Sequence, residues 1–180
     1  MRIVSGTARG KKLCTPEGND VRPTIDRVKE AVFSSLQFDI EGREVLDLFA
    51  GSGQLGLEAL SRGAKHCTFV DGSKKSLEAV NANIQNCGFN DKSTVNFCDS
   101  YDFLLKTEKK FDIAFLDPPY GKGLIDKAMP LLVDKMSDFG IIVCEHNQTD
   151  KLCEFYGDFE KQKTKKYGIV YITYYRKKAE

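Results

Sequence analysis

Short apolar runs alternate with amphipathic stretches through the middle of the chain. Apolar runs of about four to eight residues bounded by turn residues are typical of strands, and apolar positions three or four residues apart are typical of helices. The pattern predicts strands over Glu44–Phe49, Cys67–Val70, Thr94–Cys98, Asp112–Leu116 and Ile141–Glu145. A helix is predicted after each strand, over Gln54–Arg62, Lys74–Cys87, Asp102–Leu105, Ile125–Met136 and Thr149–Tyr156. This alternation predicts an α/β fold in which helices cover both faces of a parallel sheet.

The C-terminal end of the chain changes to a strand–turn–strand pattern. Phe159–Lys165 and Ile169–Tyr175 are strand-like runs that are joined around Tyr167-Gly168. Such a pair predicts a hairpin, so the sheet should end with antiparallel strands. Together with the five parallel strands, this hairpin predicts a mostly parallel sheet of seven strands.

The N-terminal end is predicted to form a small hairpin followed by a helix. The arms of the hairpin are Arg2–Val4 and Lys11–Cys14, and the helix runs from about Ile25 to Leu36 with Thr24 as its cap. No repeat or linker interrupts the chain. We therefore expect a single domain over residues 1–180, with residues 1–40 as an N-terminal extension and residues 41–180 as the core.

Composition narrows the class of protein. Hydrophobic residues make up 41% of the 180 residues, which argues against a disordered chain. The longest apolar runs, such as Ile113–Leu116, are far too short to span a membrane, and the N-terminus lacks the apolar segment of a signal peptide. We therefore expect a cytoplasmic protein with no membrane partner. The six cysteines include no CxxC pair, so no metal site is expected.

Charge is segregated along the chain although the net charge is only +1. Residues 1–30 carry a net charge of +3, residues 31–160 carry −8 and residues 161–180 carry +6. Basic ends around an acidic middle suit a polyanionic partner that is held by the two termini. The alternative for the C-terminal lysines is that they only keep the chain soluble.

A glycine-rich segment, Asp47-Leu-Phe-Ala-Gly51-Ser-Gly53-Gln-Leu-Gly56, follows the first predicted strand. Its glycines match the pattern G-x-G-x-x-G, in which glycine lets the backbone turn tightly and approach a ligand. Ligands of open α/β sheets lie at the carboxyl ends of the strands, where this loop is placed. The alternative is a tight strand–helix turn that binds nothing.

Asp71 ends the next predicted strand, 20 residues after Gly51. A carboxylate at this place can accept hydrogen bonds from both ribose hydroxyls of an adenosine cofactor. NAD and S-adenosylmethionine both carry this ribose, so the two motifs predict an adenosine cofactor without choosing between them. An Asp at the end of a strand can also simply cap the following helix.

The segment Asp117-Pro118-Pro119-Tyr120 ends the fourth parallel strand, beside the glycine-rich loop. An exocyclic base amine is a poor nucleophile, because its lone pair is delocalised into the ring. The Asp117 carboxylate and the Pro118 carbonyl can each accept one of its N–H bonds, which frees the lone pair to meet a methyl group. The prolines make the turn rigid, and Tyr120 offers a ring on which the base can stack. This segment favours methyl transfer from S-adenosylmethionine.

Two other classes of protein remain open on these residues alone. A non-catalytic RNA-binding assembly factor would have the basic ends but would not need the Asp117–Tyr120 turn. A hydride-transfer enzyme would have the glycines but usually places a catalytic acid elsewhere, and His66 and His146 offer little for that role.

Several segments together closely resemble the bacterial small-subunit ribosomal RNA guanine-N2 methyltransferases of the RsmD type. The resemblance extends over essentially the whole chain and is carried by Arg2–Gly10, by Arg22-Pro23-Thr24 with Arg27, Lys29, Glu30, Ala31 and Phe33, and by Asp47–Leu60 and Asp117–Tyr120. It implies a Rossmann-like class I methyltransferase fold, S-adenosylmethionine as the cofactor and a guanine of 16S ribosomal RNA as the substrate. The RNA is expected within an assembled or assembling particle. Because the Asp117–Tyr120 motif is shared with adenine-N6 methyltransferases, methylation of adenine in RNA or DNA is the alternative.

The resemblance also implies a role for individual residues. The guanine is expected at Asp117, Pro118, Pro119 and Tyr120. The cofactor is expected at Asp47, Phe49, Gly51 and Gly53 through its methionine part, at Asp71 through its ribose, at Asp99 and Ser100 through its adenine, and under Arg22 and Thr24, which close over it. RNA phosphates are expected at Arg2, Arg9, Lys11, Lys12, Lys163, Lys165 and Lys166. The acid at the end of the second strand is Asp71, where many methyltransferases have Glu.

Overall fold

A computed structural model describes residues 1–16 and 23–178, and the side chains of residues 23–25 also fall outside the description. Arg22 therefore lies outside the described residues, as does the side chain of Thr24.

Eight strands and five α-helices form within the described ranges. The strands are β1 (Glu44–Asp47), β2 (His66–Asp71), β3 (Ser93–Phe97), β4 (Phe111–Leu116), β5 (Met136–His146), β6 (Phe155–Tyr156), β7 (Phe159–Tyr167) and β8 (Val170–Lys177). The helices are α1 (Pro23–Ser35), α2 (Gln54–Ser61), α3 (Lys74–Cys87), α4 (Ser100–Lys106) and α5 (Leu124–Leu132), with short 3-10 helices over Asn90–Lys92 and Val133–Lys135. None of the helices in the described ranges has the length and apolar character needed to span a membrane.

The strands form one sheet in the order β3-β2-β1-β4-β5-β8-β7-β6. The first five strands in this order are parallel and the last three pair antiparallel, which confirms the predicted α/β sheet with an antiparallel end. The chain moves outward from β1 to β3 and then returns to the other side of β1 as β4. The connection after β1 therefore crosses one face of the sheet and the connection after β4 crosses the other. This leaves a crevice between the carboxyl ends of β1 and β4, which is where ligands bind in such folds.

Alternate residues of the central strands pack on opposite faces of the sheet. Val45 belongs to the same buried cluster as Leu57 of α2, whereas the next residue, Leu46, belongs to the cluster that contains Leu104 of α4 and Met129 of α5. Side chains alternate in this way along any strand, so a strand buried on both faces is apolar throughout. As a result, α1, α2, α3 and the N-terminal hairpin cover one face, and α4 and α5 cover the other.

The predicted helix over Thr149–Tyr156 is wrong. Residues 147–154 form turns and irregular backbone, and Phe155–Tyr156 is the short strand β6. This strand pairs with β7, so the sheet has eight strands instead of the predicted seven. The buried Tyr156 hydrogen-bonds Asp126 of α5, and this tertiary contact holds the segment against α5 in extended form.

The predicted helix over Ile125–Met136 ends four residues early, since α5 stops at Leu132. The 3-10 helix Val133–Lys135 follows, and Met136 already belongs to β5. The apolar pattern assigns Met136 to the helix. In the structure Met136 instead pairs with Phe111 at the start of β4, because it is part of the sheet.

The predicted N-terminal hairpin is present as a short one, with a single antiparallel bridge between Arg2 and Lys12. Helix α1 begins at Pro23, so Thr24 lies in the first turn of the helix and is not its cap, which corrects the prediction. Proline suits the first position of a helix because its missing N–H would have no partner there in any case.

Candidate active site

A cavity of about 1210 Å³ opens at the carboxyl ends of the parallel strands. Its wall is formed by the β1–α2 loop, by the residues that follow the neighbouring strands and by the tip of the β7–β8 hairpin. The predicted site residues on this wall are Asp47, Phe49, Gly51, Asp71, Asp99, Ser100, Asp117, Pro118, Pro119 and Tyr120. The fold thus brings the predicted cofactor and catalytic residues of the described chain to one place, although they are spread along its sequence.

The glycine-rich loop turns sharply between β1 and α2. Gly53 stands at the N-terminal end of α2 with φ 79°, a left-handed conformation that side chains disfavour, and its N–H donates to Ala50 O at 2.7 Å. It lies behind the cavity wall, where an added Cβ would come within 3.3 Å of Phe69 and Val80. Gly53 therefore shapes the loop from behind, whereas Gly51 lines the cavity.

Asp47 is 1% exposed and ends β1 at the bottom of the cavity. Its carboxylate accepts a hydrogen bond from the Gly56 N–H at 3.0 Å and so braces the first turn of α2. Burial raises its pKa to about 7, and the charge of Asp71 adds to the effect. Asp47 is therefore both a brace of the loop and an acid whose ionisation depends on what the cavity contains.

Asp71 and Asp99 stand at the carboxyl ends of β2 and β3. The two Asp71 oxygens accept backbone N–H bonds, Oδ2 from Gly51 at 2.9 Å and Oδ1 from Ser73 at 2.8 Å. Asp99 caps α4 by accepting from the Tyr101 N–H at 2.8 Å. A carboxylate oxygen can accept more than one hydrogen bond, so both acids can cap the backbone and still accept from a ligand.

The segment after β4 forms a fixed turn on the cavity wall. Pro118 is buried and Pro119 is exposed. The Tyr120 hydroxyl donates to Glu145 Oε1 at 2.7 Å, and the Gly121 N–H donates to the Asp150 carboxylate at 3.1 Å. The turn is thus anchored on both sides, which fixes the direction of the groups that face the cavity.

The Asp117 carboxylate at this turn is open to the cavity. Within the described part of the chain no group donates a hydrogen bond to its carboxylate, although the residue lines the cavity. Burial raises the pKa of this carboxyl well above its usual range, and the charges of Glu145 and then Asp47 raise it further. A ligand that presents N–H donors would supply the missing partners.

Glu145 is a site residue that the sequence patterns did not identify. It lies near the end of β5, lines the cavity, and its pKa is raised by burial, with the hydrogen bond from Tyr120 acting in the opposite direction. The available signal was its position as the acidic last residue of the predicted strand Ile141–Glu145. An acid at the carboxyl end of a parallel strand is a candidate ligand-binding residue in this kind of sheet.

A buried ionic cluster beside the cavity, whose wall includes Lys29, also went unrecognised. Lys29 of α1 and Glu58 of α2 are 2% and 0% exposed, with 3.6 Å between Nζ and Oε2. Glu58 also accepts from the N–H groups of Val4 at 2.9 Å and Ser5 at 3.0 Å and from Arg62 Nε at 2.9 Å. Burial lowers the Lys29 pKa, whereas the nearby Glu58 raises it. The cluster joins the N-terminal hairpin to two helices.

The predicted RNA contacts of the N-terminal hairpin lie outside the main cavity. Arg2, Arg9, Lys11 and Lys12 are all exposed. Arg2 and Arg9 line a separate cavity of about 380 Å³ together with charged residues of α1. Lys11 Nζ donates to Asn86 O of α3 at 3.0 Å, so this lysine is held against the core. The basic residues of the hairpin are therefore not part of the wall of the main cavity.

The predicted C-terminal RNA contacts lie along β7. Lys163, Lys165 and Lys166 are exposed on this strand. Lys163 Nζ lies 4.6 Å from the ring centre of Tyr174, and Lys166 Nζ lies 5.5 Å from that of Tyr171. The turn after β7, which includes the exposed Ile169, reaches the cavity wall, so this basic strand leads to the site.

Comparisons with known proteins agree with this geometry. The model of the family described as Conserved hypothetical protein 95 matches residues 1–176. Ribosomal RNA small subunit methyltransferase D of Haemophilus influenzae is 38% identical over 167 residues, which are 91% of this chain and 80% of that protein. The Escherichia coli structure yhhF has a TM-score of 0.87 and 31% identity, covering 100% of this chain and 99% of that one. The 16S rRNA N2 methyltransferase RsmC of Thermus thermophilus, solved with AdoMet and guanosine, has a TM-score of 0.72 and 23% identity over 91% of this chain and 45% of that one. The fold is therefore the Rossmann-like fold of class I methyltransferases.

Proposed function

The chain belongs to the Conserved hypothetical protein 95 family, and we propose that it methylates the N2 amine of a guanine in 16S ribosomal RNA with S-adenosylmethionine as cofactor. The observation that carries the proposal is the Asp117 carboxylate, which faces the cavity beside Pro118 without a described hydrogen-bond donor, in the same cavity as the glycine-rich loop and Asp71. The Haemophilus influenzae relative is a methyltransferase of small-subunit ribosomal RNA, which supports this class of substrate. The fold shared with RsmC is compatible with it.

The residues on the cavity wall fit S-adenosylmethionine. Asp71 has lone pairs left for the ribose hydroxyls, and Asp99 has lone pairs left for the adenine amine. The buried Oε1 atom of Gln54 has no hydrogen-bond partner in the described part of the chain, and this residue lines the cavity, where the ammonium group of the methionine part can donate to it. When bound, the cofactor supplies a methyl group on a positively charged sulfur, which the carboxylates of Asp47 and Asp117 favour.

The remaining cofactor contacts in the proposal follow from position. Phe49 and Gly51 belong to the loop at the end of β1, and Ser100 begins α4 beside Asp99. Gly53 would act by holding this loop in shape, as its place behind the wall suggests. Arg22 and Thr24 are proposed to close over the cofactor.

The turn after β4 would hold and activate the base. The Asp117 carboxylate accepts one N–H of the amine and the Pro118 carbonyl accepts the other, so the nitrogen lone pair is directed away from both. The Tyr120 ring stacks on the base, and its hydrogen bond to Glu145 fixes the ring. Asp117 can take the proton that the nitrogen loses, because its raised pKa makes it a better acceptor of a proton. Catalysis then consists mainly of positioning and electrostatics.

The basic residues of the hairpin and of β7 would bind RNA phosphates on either side of the cavity. Residues 1–40 would form an extension that covers the cofactor and contacts RNA. Residues 41–180 would form the core, and the two parts together would make one domain. Much of the specificity would come from the shape of an assembled or assembling particle, because phosphate contacts carry no base sequence. An enzyme with this substrate is expected to work in the cytoplasm, where the particle is assembled.

Nucleoside analysis of methylated RNA tests the proposed function directly. Small-subunit particles from a strain that lacks this gene are incubated with the enzyme and methyl-labelled cofactor, and their RNA is digested to nucleosides. Label in N2-methylguanosine is expected. Label only in N6-methyladenosine would replace the proposed base but keep the mechanism, and no label in any nucleoside would overturn the function. Asp117→Ala protein serves as the control for chemistry by contaminating enzymes.

A further inference from the structure

Glu145 has one oxygen in use and one available on the wall of the cavity. Its Oε1 atom accepts the Tyr120 hydroxyl at 2.7 Å. No described group donates a hydrogen bond to its Oε2 atom. This atom is not fully buried and the residue lines the cavity, so Oε2 has access to the cavity. The charge of Glu145 raises the pKa of Asp117, so the two carboxyl groups are close enough to interact.

Guanine and adenine differ next to the amine that is methylated. Guanine has an N1–H donor beside its N2 amine, whereas adenine has a bare N1 acceptor beside its N6 amine. A base that is removed from its stack can be read by hydrogen bonds along this edge. Asp117 and Pro118 accept the two N–H bonds of the amine. The N1 position of the base, which is next to the amine, then faces the carboxyl group that lies close to Asp117.

We propose that Glu145 determines the choice of base, with its Oε2 atom accepting the N1–H of the target guanine while Tyr120 holds its Oε1 atom. This inference rests on the proposed function. Three N–H donors of guanine then meet three acceptors, on Asp117, Pro118 and Glu145. With adenine, the N1 lone pair faces a carboxylate, which repels it and leaves a buried acceptor without a partner.

A purely structural role for Glu145 would act through Tyr120. In that role the carboxylate fixes the ring on which the base stacks, and any change in Glu145 lowers the rate for every base alike. The two roles therefore differ in the ratio of rates between bases, and the ratio is the quantity to measure.

The test uses 2-aminopurine, which keeps the 2-amine but has an N1 acceptor in place of the N1–H. Small-subunit particles are reconstituted with guanine or 2-aminopurine at the nucleotide that the wild-type enzyme methylates. For the wild-type enzyme, kcat/KM for guanine should exceed that for 2-aminopurine by roughly 10- to 100-fold, the range for one well-made base contact. Equal values would overturn the proposal without the need for any variant.

The variant Glu145→Gln separates the N1 contact from other differences between the two bases, such as the missing O6 atom. Its amide can donate to the N1 acceptor of 2-aminopurine, so the preference for guanine should fall by about tenfold or more. Tyr120→Phe is the matched control, because it removes the 2.7 Å hydrogen bond to Glu145 but keeps the carboxylate. It should lower kcat and leave the preference for guanine in place.

The outcomes are distinguishable. An unchanged preference in Glu145→Gln protein that still binds S-adenosylhomocysteine by calorimetry overturns the inference while the proposed function stands. Rates for guanine and 2-aminopurine that fall by the same factor in Glu145→Gln and Tyr120→Phe, with the preference kept, assign Glu145 to positioning of the ring and also overturn it. Failure of the wild-type enzyme to methylate guanine particles removes the proposed function itself.

Discussion

Asp47, Asp117 and Glu145 share one cavity wall, and burial raises the pKa of each carboxyl group. Ionised carboxylates in such a place are strong hydrogen-bond acceptors, but they are costly to keep ionised without partners. N–H donors of a base and a positively charged sulfur would supply these partners. We therefore expect ligand binding and ionisation of these acids to favour each other.

Asp117→Ala is predicted to lower kcat by roughly 10²- to 10³-fold, the usual cost of removing one preorganised polar contact from a transition state. Affinity for S-adenosylhomocysteine should change little, because the proposed contact of this side chain is with the base. Single-turnover methylation and calorimetry measure the two quantities on the same protein. Near-normal turnover would show that Asp117 does not hold the amine.

Asp47→Asn is predicted to flatten the pH dependence of stability. The Asp47 pKa is about 7 in the folded protein, against an ordinary value of 3.8, so the folded chain holds this proton more tightly. The resulting stabilisation is complete below pH ~4 and is lost as the pH rises through ~7, at no more than about 1.4 kcal/mol per pH unit. Urea unfolding at pH 5 and pH 8 should show a smaller loss of unfolding free energy in the variant. Equal losses in the two proteins would contradict the raised pKa.

The N-terminal hairpin is fastened to α2 by hydrogen bonds around Ser61. The Thr7 N–H donates to Ser61 O at 2.8 Å, the Ala8 N–H donates to Ser61 Oγ at 2.9 Å, and Ser61 Oγ donates to Ser5 O at 2.6 Å. Glu58 holds the same segment one helical turn away. The hairpin is thus fixed to α2, the helix that follows the glycine-rich loop. The proposed RNA contacts of the hairpin and the proposed cofactor contacts of the loop are therefore joined through one helix.

Gly6→Ala is predicted to destabilise the protein far more than Gly10→Ala. The two glycines have nearly the same backbone, with φ 85° and 84°, so each variant pays a similar cost of about 1–2 kcal/mol for a left-handed residue. A Cβ at Gly6 would stand 1.8 Å from Ser61 O, whereas one at Gly10 meets nothing within 4 Å. The clash should add roughly 1–3 kcal/mol to the loss of unfolding free energy in urea. Equal losses would show that the hairpin is not packed on α2 in solution.

Opposite charges are separated across the molecule in a way that suits an RNA surface. The basic residues of the hairpin and of β7 are exposed on the surface, and Asp47, Asp117 and Glu145 line the cavity. RNA would be attracted to the rim by phosphate contacts, and only a base that extends inward would meet the carboxylates. Such attraction falls as salt rises, because bound counterions are released on binding.

Neutralising either basic cluster is predicted to weaken RNA binding and to flatten its salt dependence. The variants change Arg9, Lys11 and Lys12, or Lys163, Lys165 and Lys166, to Gln. Each phosphate contact that is lost should reduce the log–log slope of affinity against salt by roughly 0.7–0.9.

The matched control changes Lys65, Lys109 and Lys110, which are exposed just before β2 and β4, at the amino ends of the strands, and include two ion-pair partners of Glu44. Fluorescence titration of small-subunit RNA at several salt concentrations gives the slopes. An unchanged slope for both basic clusters would place the RNA surface elsewhere.

The sequence by itself determined the order of strands and helices, the parallel sheet and the placing of most predicted site residues at the strand ends. These follow from local signals: apolar periodicity, glycines where the chain must turn, and acids directly after apolar runs. Asp47, Asp71, Asp99 and Asp117 each end a strand or follow one closely, so one rule about parallel sheets is enough to bring them together.

Only the tertiary structure decided which residues pair across distant parts of the chain. Strand β6 exists because Tyr156 packs against α5, and its local sequence alone reads as a helix. Glu145 became a site residue through its bond to Tyr120, 25 positions away, and Lys29 and Glu58 became a buried pair 29 positions apart. The local pattern does place an acid at the end of β5, but it does not show the bond of that acid to Tyr120 or the pairing of Lys29 with Glu58, because these depend on which segments the fold brings together.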